Sequence, residues 1–131
     1  MKSYTDLPQS KKLVEILPLE SADMWWSKNF IYYNPTAIIG ISAEYSNVYT
    51  YKFGEDDIPC WSLTALLDIF PCSKESPIVN LTRGGWNPSF TRRWFATWED
   101  ENKNIFYSCN GASPVDAVVE LIMKLHEQNI L

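Results

Sequence analysis

Two tryptophans and an arginine share one side of a predicted strand. The strand runs from Phe90 to Trp98, and the alternation of its side chains places Arg92, Trp94 and Trp98 on the same side. A glycine-containing loop, Arg83–Trp86, adds a second arginine and a third tryptophan to this region. Flat rings beside guanidinium groups can stack on the bases of single-stranded nucleic acid, and the same residue types dominate the hot spots of protein interfaces. The candidate binding residues are therefore Arg83, Trp86, Arg92, Trp94 and Trp98.

The charge of this region differs from that of the rest of the chain. The window from Ser76 to Trp98 contains no acidic residue and carries a charge of +3, whereas the whole chain carries -5. A net negative protein repels a polyanion at long range. We therefore expect a protein partner, or a second copy of the chain, at the candidate residues. Single-stranded nucleic acid is the alternative ligand.

No spacing typical of a catalytic or metal site occurs in the sequence. The acidic clusters Glu55–Asp57 and Glu99–Glu101 are typical of solvated turns, and His126 is the one histidine of the chain. Cys60 precedes a predicted helix, whose amide groups could lower the pKa of its thiol. A small enzyme with a cleft built from Cys60, His126 or the acidic clusters is thus a third hypothesis. We expect no catalysis, no metal and no cofactor.

The cysteine count and the opening residues indicate a reducing compartment. Cys60, Cys72 and Cys109 are odd in number and widely spaced, which argues against a disulfide framework and favours reduced thiols packed as small hydrophobic groups. Met1–Asp6 lacks the apolar stretch of a secretory signal. No apolar run approaches the about 20 residues that cross a membrane. We expect a cytoplasmic protein that makes no membrane contact.

Capping residues and apolar periodicity predict three helices. Pro8 and Pro114 each fall in a first turn, where a missing N–H group costs nothing. Pro18 and Pro71 end the first two helices, because a residue before proline avoids the helical conformation. The predicted N-caps are Thr5 or Asp6 for the first helix, Ser62 for the second and Ser113 for the third.

The remaining segments predict strands joined by short polar turns, which favours an antiparallel sheet. The expected fold class is α+β, with two layers: an antiparallel sheet packed against about three helices, in one domain that spans residues 1–131. The predicted strands are residues 24–26 and 30–33 around a turn at 27–29, then 36–42, 48–53, 78–82, 90–98 and 105–108.

Several segments at both ends and in the centre of the chain form a recognisable set: Tyr4–Leu7, Gln9–Leu13, Ile16–Met24, Ile58–Leu63 followed by Leu66 and Leu67, Pro114–Ala117 and Lys124–Glu127. Together they resemble a group of short uncharacterised proteins from gut bacteria and their phages or other mobile elements. In that group position 8 is usually glutamate and position 113 usually asparagine, so Pro8 and Ser113 depart from it, and both are compatible with a helix cap. The resemblance implies an intracellular accessory protein of a phage or mobile element. It implies no activity and assigns no functional residue.

Overall fold

The computed structural model describes residues 2–27, 30–33, 57–70, 79–84, 93–99 and 106–131. The chain divides into two compact units: an N-terminal unit, Tyr4–Ala65, and a C-terminal unit, Leu66–Leu131 together with Met1–Ser3. The predicted strands at residues 36–42 and 48–53 lie outside the described residues. The single domain over residues 1–131 stays a prediction.

The N-terminal unit contains an antiparallel sheet with the strand order β2-β1-β3. Ser27 pairs with Phe30, so the predicted hairpin is confirmed, and Met24 pairs with Cys60 across the other edge of β1. The elements of this unit are α1 (Leu7–Leu13), a 3-10 helix (Leu19–Ser21), β1 (Met24–Ser27), β2 (Phe30–Tyr33) and β3 (Ile58–Cys60), and α2 (Leu63–Leu67) begins at its end.

Helix α1 begins with a capping box. The Asp6 carboxylate accepts a hydrogen bond from the backbone N–H of Gln9 at 2.9 Å, and the Gln9 side chain accepts one from the Asp6 N–H at 3.1 Å. Leu13 and Leu17 are buried as predicted, whereas Val14, expected in the same apolar stripe, is 42% exposed. The predicted helix extends to Pro18, whereas α1 ends at Leu13, so the helix is shorter than predicted and Val14 lies beyond its last residue.

The Thr5 hydroxyl organises the buried polar part of this unit. Its Oγ1 accepts a hydrogen bond from the Trp61 N–H at 3.1 Å and lies 2.7 Å from the Ser10 Oγ. The backbone N–H of Thr5 donates to the Trp61 carbonyl at 2.9 Å. Both Thr5 and Ser10 are completely buried, so these bonds satisfy groups that would be costly to leave unpaired. They attach the start of α1 to the residues after β3.

The C-terminal unit contains a second antiparallel sheet with the strand order β4-β5-β6. Its strands are β4 (Val79–Gly84), β5 (Arg93–Glu99) and β6 (Phe106–Gly111), and helix α3 (Pro114–Glu127) packs against β5 and β6. The three strands overlap the predicted ones, and β6 extends three residues beyond its predicted end at Ser108.

Helix α3 has the predicted cap. The Ser113 Oγ accepts a hydrogen bond from the Asp116 N–H at 3.1 Å and donates to the Asp116 carboxylate at 2.8 Å. The Lys2 ammonium forms an ion pair with the same carboxylate at 2.7 Å. Every residue of the predicted apolar stripe is buried, and Ala117 and Leu121 join it because the helix contacts more than one strand. The buried residues of the helix are Pro114, Val115, Ala117, Val118, Val119, Leu121, Ile122 and Leu125.

The α+β class with antiparallel strands is confirmed. One feature differs from the prediction: the described strands form two three-stranded sheets rather than one. Among the described residues there are three α-helices, the predicted number.

Candidate functional site

The two sides of the β4-β5-β6 sheet differ in what covers them. A Cβ atom on Gly111 would lie 2.6 Å from the backbone nitrogen of Ala117, so the side toward which Gly111 points is covered by helix α3. Gly111 pairs with Trp94, and residues paired across antiparallel strands point to the same side. Trp94, Ala96 and Trp98 therefore lie on this helix-facing side. The opposite side is called the open side below.

Trp98 is a core residue of the C-terminal unit. It is 8% exposed, its neighbour Ala96 on the same side is completely buried, and its ring lies 6.2 Å from that of Tyr107 on β6. A buried ring cannot stack on a base or enter the pocket of a partner. The expectation that Trp98 belongs to an exposed binding surface is therefore corrected: helix α3 requires apolar side chains beneath it, and this strand supplies two of them.

Trp94 and Arg83 are brought together. Trp94 is half-buried, Arg83 pairs with it across β4 and β5, and the guanidinium carbon of Arg83 lies 5.9 Å from the centre of the Trp94 ring. This is a cation–π contact, and the arginine is exposed. Arg83 therefore lies beside the Trp94 ring and remains exposed.

The other two candidates, Trp86 and Arg92, lie outside the described residues. Of the five predicted binding residues, the structure thus joins Arg83 to Trp94 and buries Trp98.

The open side carries a different set of groups, which the prediction did not select. Its described residues are Asn80, Thr82, Gly84, Arg93, Phe95, Thr97, Glu99, Phe106, Ser108 and Asn110. Each is exposed or half-buried. Side-chain alternation separates Arg93 and Phe95 from Trp94 and Trp98, but it does not say which of the two sets a helix covers. The sequence does contain one indication of the covered side. Ala96 lies between the two tryptophans on their side of the strand, and a small residue there allows a helix to approach closely.

Neither described cysteine has the environment of a nucleophile. Cys60 is completely buried, and burial raises the pKa of its thiol above the ordinary value, with a smaller opposing effect of hydrogen bonds to Thr5 and Ser10. The idea that a helix N-terminus lowers the Cys60 pKa is therefore wrong. Burial also raises the pKa of Cys109, which is half-buried; the Glu120 carboxylate raises it further.

The remaining groups of the enzyme hypothesis do not form a cluster in the described part of the chain. His126 is exposed on α3, with its Nδ1 3.1 Å from the Leu131 carbonyl oxygen. Within the described ranges, no three His, Cys, Asp or Glu side chains are arranged to hold a metal ion. Nor is any described helix long and apolar enough to cross a membrane.

Comparisons with known proteins yield no relative: no protein-family model, no curated protein and no solved structure matches the chain. Membership of the group of gut-bacterial and phage proteins stays a prediction.

Proposed function

We propose that this chain is a small cytoplasmic protein-binding module without catalytic activity, encoded on a phage or other mobile element. It contacts its partner through the surface around Arg83 and Trp94. The alternative is single-stranded nucleic acid as ligand of the same surface.

The observation that carries the proposal is the contact between Arg83 and Trp94. Hot spots of protein interfaces are enriched in tryptophan and arginine. An arginine that already lies over a ring loses less side-chain freedom on binding than one that moves freely in water. Arg83 and Trp94 therefore supply a preformed anchor on two neighbouring strands of the sheet.

Because Trp98 is buried in the core, single-stranded nucleic acid is a less favourable ligand of this surface. Stacking of successive bases needs more than one accessible ring, and among the described candidate residues Trp94 is the one ring that reaches solvent. A protein partner needs one anchor with a surrounding contact area, which this geometry offers.

The test is capture of partners from nuclease-treated bacterial lysate by the tagged protein. Arg83→Gln removes the cation of the anchor, and Arg93→Gln is the matched control because it removes an exposed arginine from the open side of the same sheet. A protein retained by the wild type and by Arg93→Gln, but lost with Arg83→Gln, is the expected result. Identical capture by all three, in samples with equal melting temperatures, would contradict the proposed surface.

A further inference from the structure

The aromatic ring of Phe95 lies along the open side of the sheet. Gly84 sits on the neighbouring strand, and a Cβ atom there would meet the Phe95 ring carbons at 2.7 Å (Cε2) and 3.3 Å (Cδ2). The ring therefore occupies the space above Gly84 that any other residue would fill with its own side chain. Phe95 is half-buried, so part of its side chain remains accessible on the open side.

A cation lies two residues from Phe95 on the same side of the same strand. Arg93 pairs with Gly84 and lies two residues before Phe95 on the same side of β5. Its Nε donates a hydrogen bond to the Asn110 side-chain oxygen at 2.8 Å, which orients the guanidinium across β5 and β6. Within the described residues, no carboxylate lies within ion-pair distance of Arg93. The group is exposed and can bind an anion.

A second ring lies further along the open side. Phe106 is 58% exposed, and it pairs with Glu99, four residues beyond Phe95 on β5. At about 3.4 Å per residue, the backbone positions of the two phenylalanines are separated by about 14 Å along the strands. More than half of the surface of this apolar residue is in contact with water. A ligand that covers the ring with a flat apolar surface therefore gains free energy by displacing that water.

The groups between the two rings favour nucleotide bases over a protein surface. Apart from the two phenylalanines, Gly84, Arg93 and Glu99, the described open side has hydroxyl and amide side chains and no Leu, Ile, Val or Met. Glu99 is paired with Phe106 and its carboxylate repels phosphate, so the phosphate contact lies at the Arg93 end of this side. Protein interfaces concentrate apolar contacts at their centre. Separated rings surrounded by hydrogen-bonding groups instead match the stacking and edge recognition by which sheets bind single-stranded nucleic acid. The hydroxyl and amide groups are those of Asn80, Thr82, Thr97, Ser108 and Asn110.

We propose that the open side of the β4-β5-β6 sheet binds single-stranded nucleic acid. Phe95 and Phe106 each stack on a base, and Arg93 contacts a phosphate between or beside them. This site is separate from the protein-binding surface around Arg83 and Trp94, which lies on the helix-facing side. With one described arginine on the open side, we expect affinity to fall gently with salt, with a slope of about -0.7 in log K against log salt for each phosphate contacted.

The experiment measures the fluorescence anisotropy of labelled oligothymidylate and oligouridylate of about 12 nucleotides, within the usual range of site sizes. The variants are Phe106→Ala, Phe95→Leu and Arg93→Gln. Lys12→Gln, at an exposed lysine of the N-terminal unit, is the control for the lost cation, and Leu19→Ala, at an exposed apolar residue of the same unit, is the control for lost apolar surface. A labelled hairpin duplex tests the preference for single strands.

We expect the wild type to bind a single strand more tightly than the duplex. Phe106→Ala should weaken binding about tenfold or more, the effect of losing one stacked base, without a change in melting temperature. The two control variants should bind as the wild type does. Absence of binding to either oligonucleotide at low salt overturns the proposal, and so does binding that survives Phe106→Ala. A protein captured on the open side in place of nucleic acid also overturns it. Because the capture experiment depends on Arg83, either proposal can fail alone.

Discussion

Replacing Gly111 by alanine tests how closely helix α3 packs on its sheet. The added Cβ atom would lie 2.6 Å from the Ala117 nitrogen, 2.6 Å from the Asp116 Cβ and 2.8 Å from the Asp116 carbonyl carbon. Carbon atoms of real side chains do not approach other atoms so closely. Because two of these three atoms are backbone, relief requires a shift of the first turn of the helix.

The magnitude follows from two opposing effects. Alanine reduces the freedom of the unfolded chain, which alone would stabilise the protein by about 0.4–1 kcal/mol. Overpacking against atoms that cannot turn aside costs about 1–3 kcal/mol and occasionally more. We therefore expect Gly111→Ala to lower the free energy of unfolding by about 1–2 kcal/mol, which for a chain of this size lowers Tm by about 4–8 °C.

The assay is thermal and urea denaturation followed by circular dichroism, with Gly84→Ala as the matched control in the same sheet. There the close atoms, at 2.7 and 3.3 Å, belong to the Phe95 ring, which can rotate away, so a smaller loss is expected. A Gly111→Ala protein as stable as the wild type would refute the reasoning, since α3 would then lie far enough from residue 111 to accommodate a Cβ atom. A larger loss for Gly84→Ala would refute it as well.

The other predictions concern a cap, a buried hydroxyl and the thiols. Ser113→Ala should cost about 1 kcal/mol in urea unfolding because it removes the N-cap of α3, whereas Ser113→Asn, which keeps an acceptor for the Asp116 N–H and a donor for the Asp116 carboxylate, should retain most of that stability. Thr5→Val keeps the volume but leaves the Trp61 N–H without its side-chain acceptor, so a loss of about 1–3 kcal/mol is expected; an unchanged unfolding midpoint would contradict this. At pH 8, thiol reagents should modify Cys109 before the completely buried Cys60, and mass spectrometry of the folded protein identifies the order. The folded-state pKa of Cys60 is raised from the ordinary 9.0, so its contribution to stability is complete below pH 9 and is lost as the pH rises through that raised pKa. The alkaline loss of stability should therefore be smaller in Cys60→Ala than in the wild type.

Features set by neighbouring residues could be predicted from the sequence. The caps at Asp6 and Ser113 depend on side chains that reach backbone groups within one helical turn. The β1-β2 hairpin likewise needs only two adjacent runs and a short polar turn. In each case the interacting groups lie a few residues apart, so the sequence contains the whole cause.

Features set by distant residues could not be predicted. The pairing of β1 with β3 depends on which strand reaches the free edge of the hairpin, and the sequence does not specify this. The candidate surface failed in part for a similar reason: alternation correctly grouped Trp94 with Trp98, but their side of the sheet is the one that α3 covers. An apolar pair of tryptophans is favourable beneath a helix and also at an interface, so residue type alone could not decide between them.

Two contacts of the N-terminal unit differ in how they form during folding: the β1-β2 hairpin and the hydrogen bonds between Thr5 and Trp61. The β2 partner follows β1 after a turn, and hairpins of this kind form within about 1–10 μs. Closure of the unit by Thr5 and Trp61 instead joins residues 56 positions apart, so chain entropy must be lost before those bonds compensate for it. Substitutions within the hairpin should therefore act mainly on the folding rate, whereas those at Thr5 act mainly on the unfolding rate. We therefore expect the hydrogen bonds of the buried threonine to control the unfolding rate, and hence the folded lifetime, of the N-terminal unit.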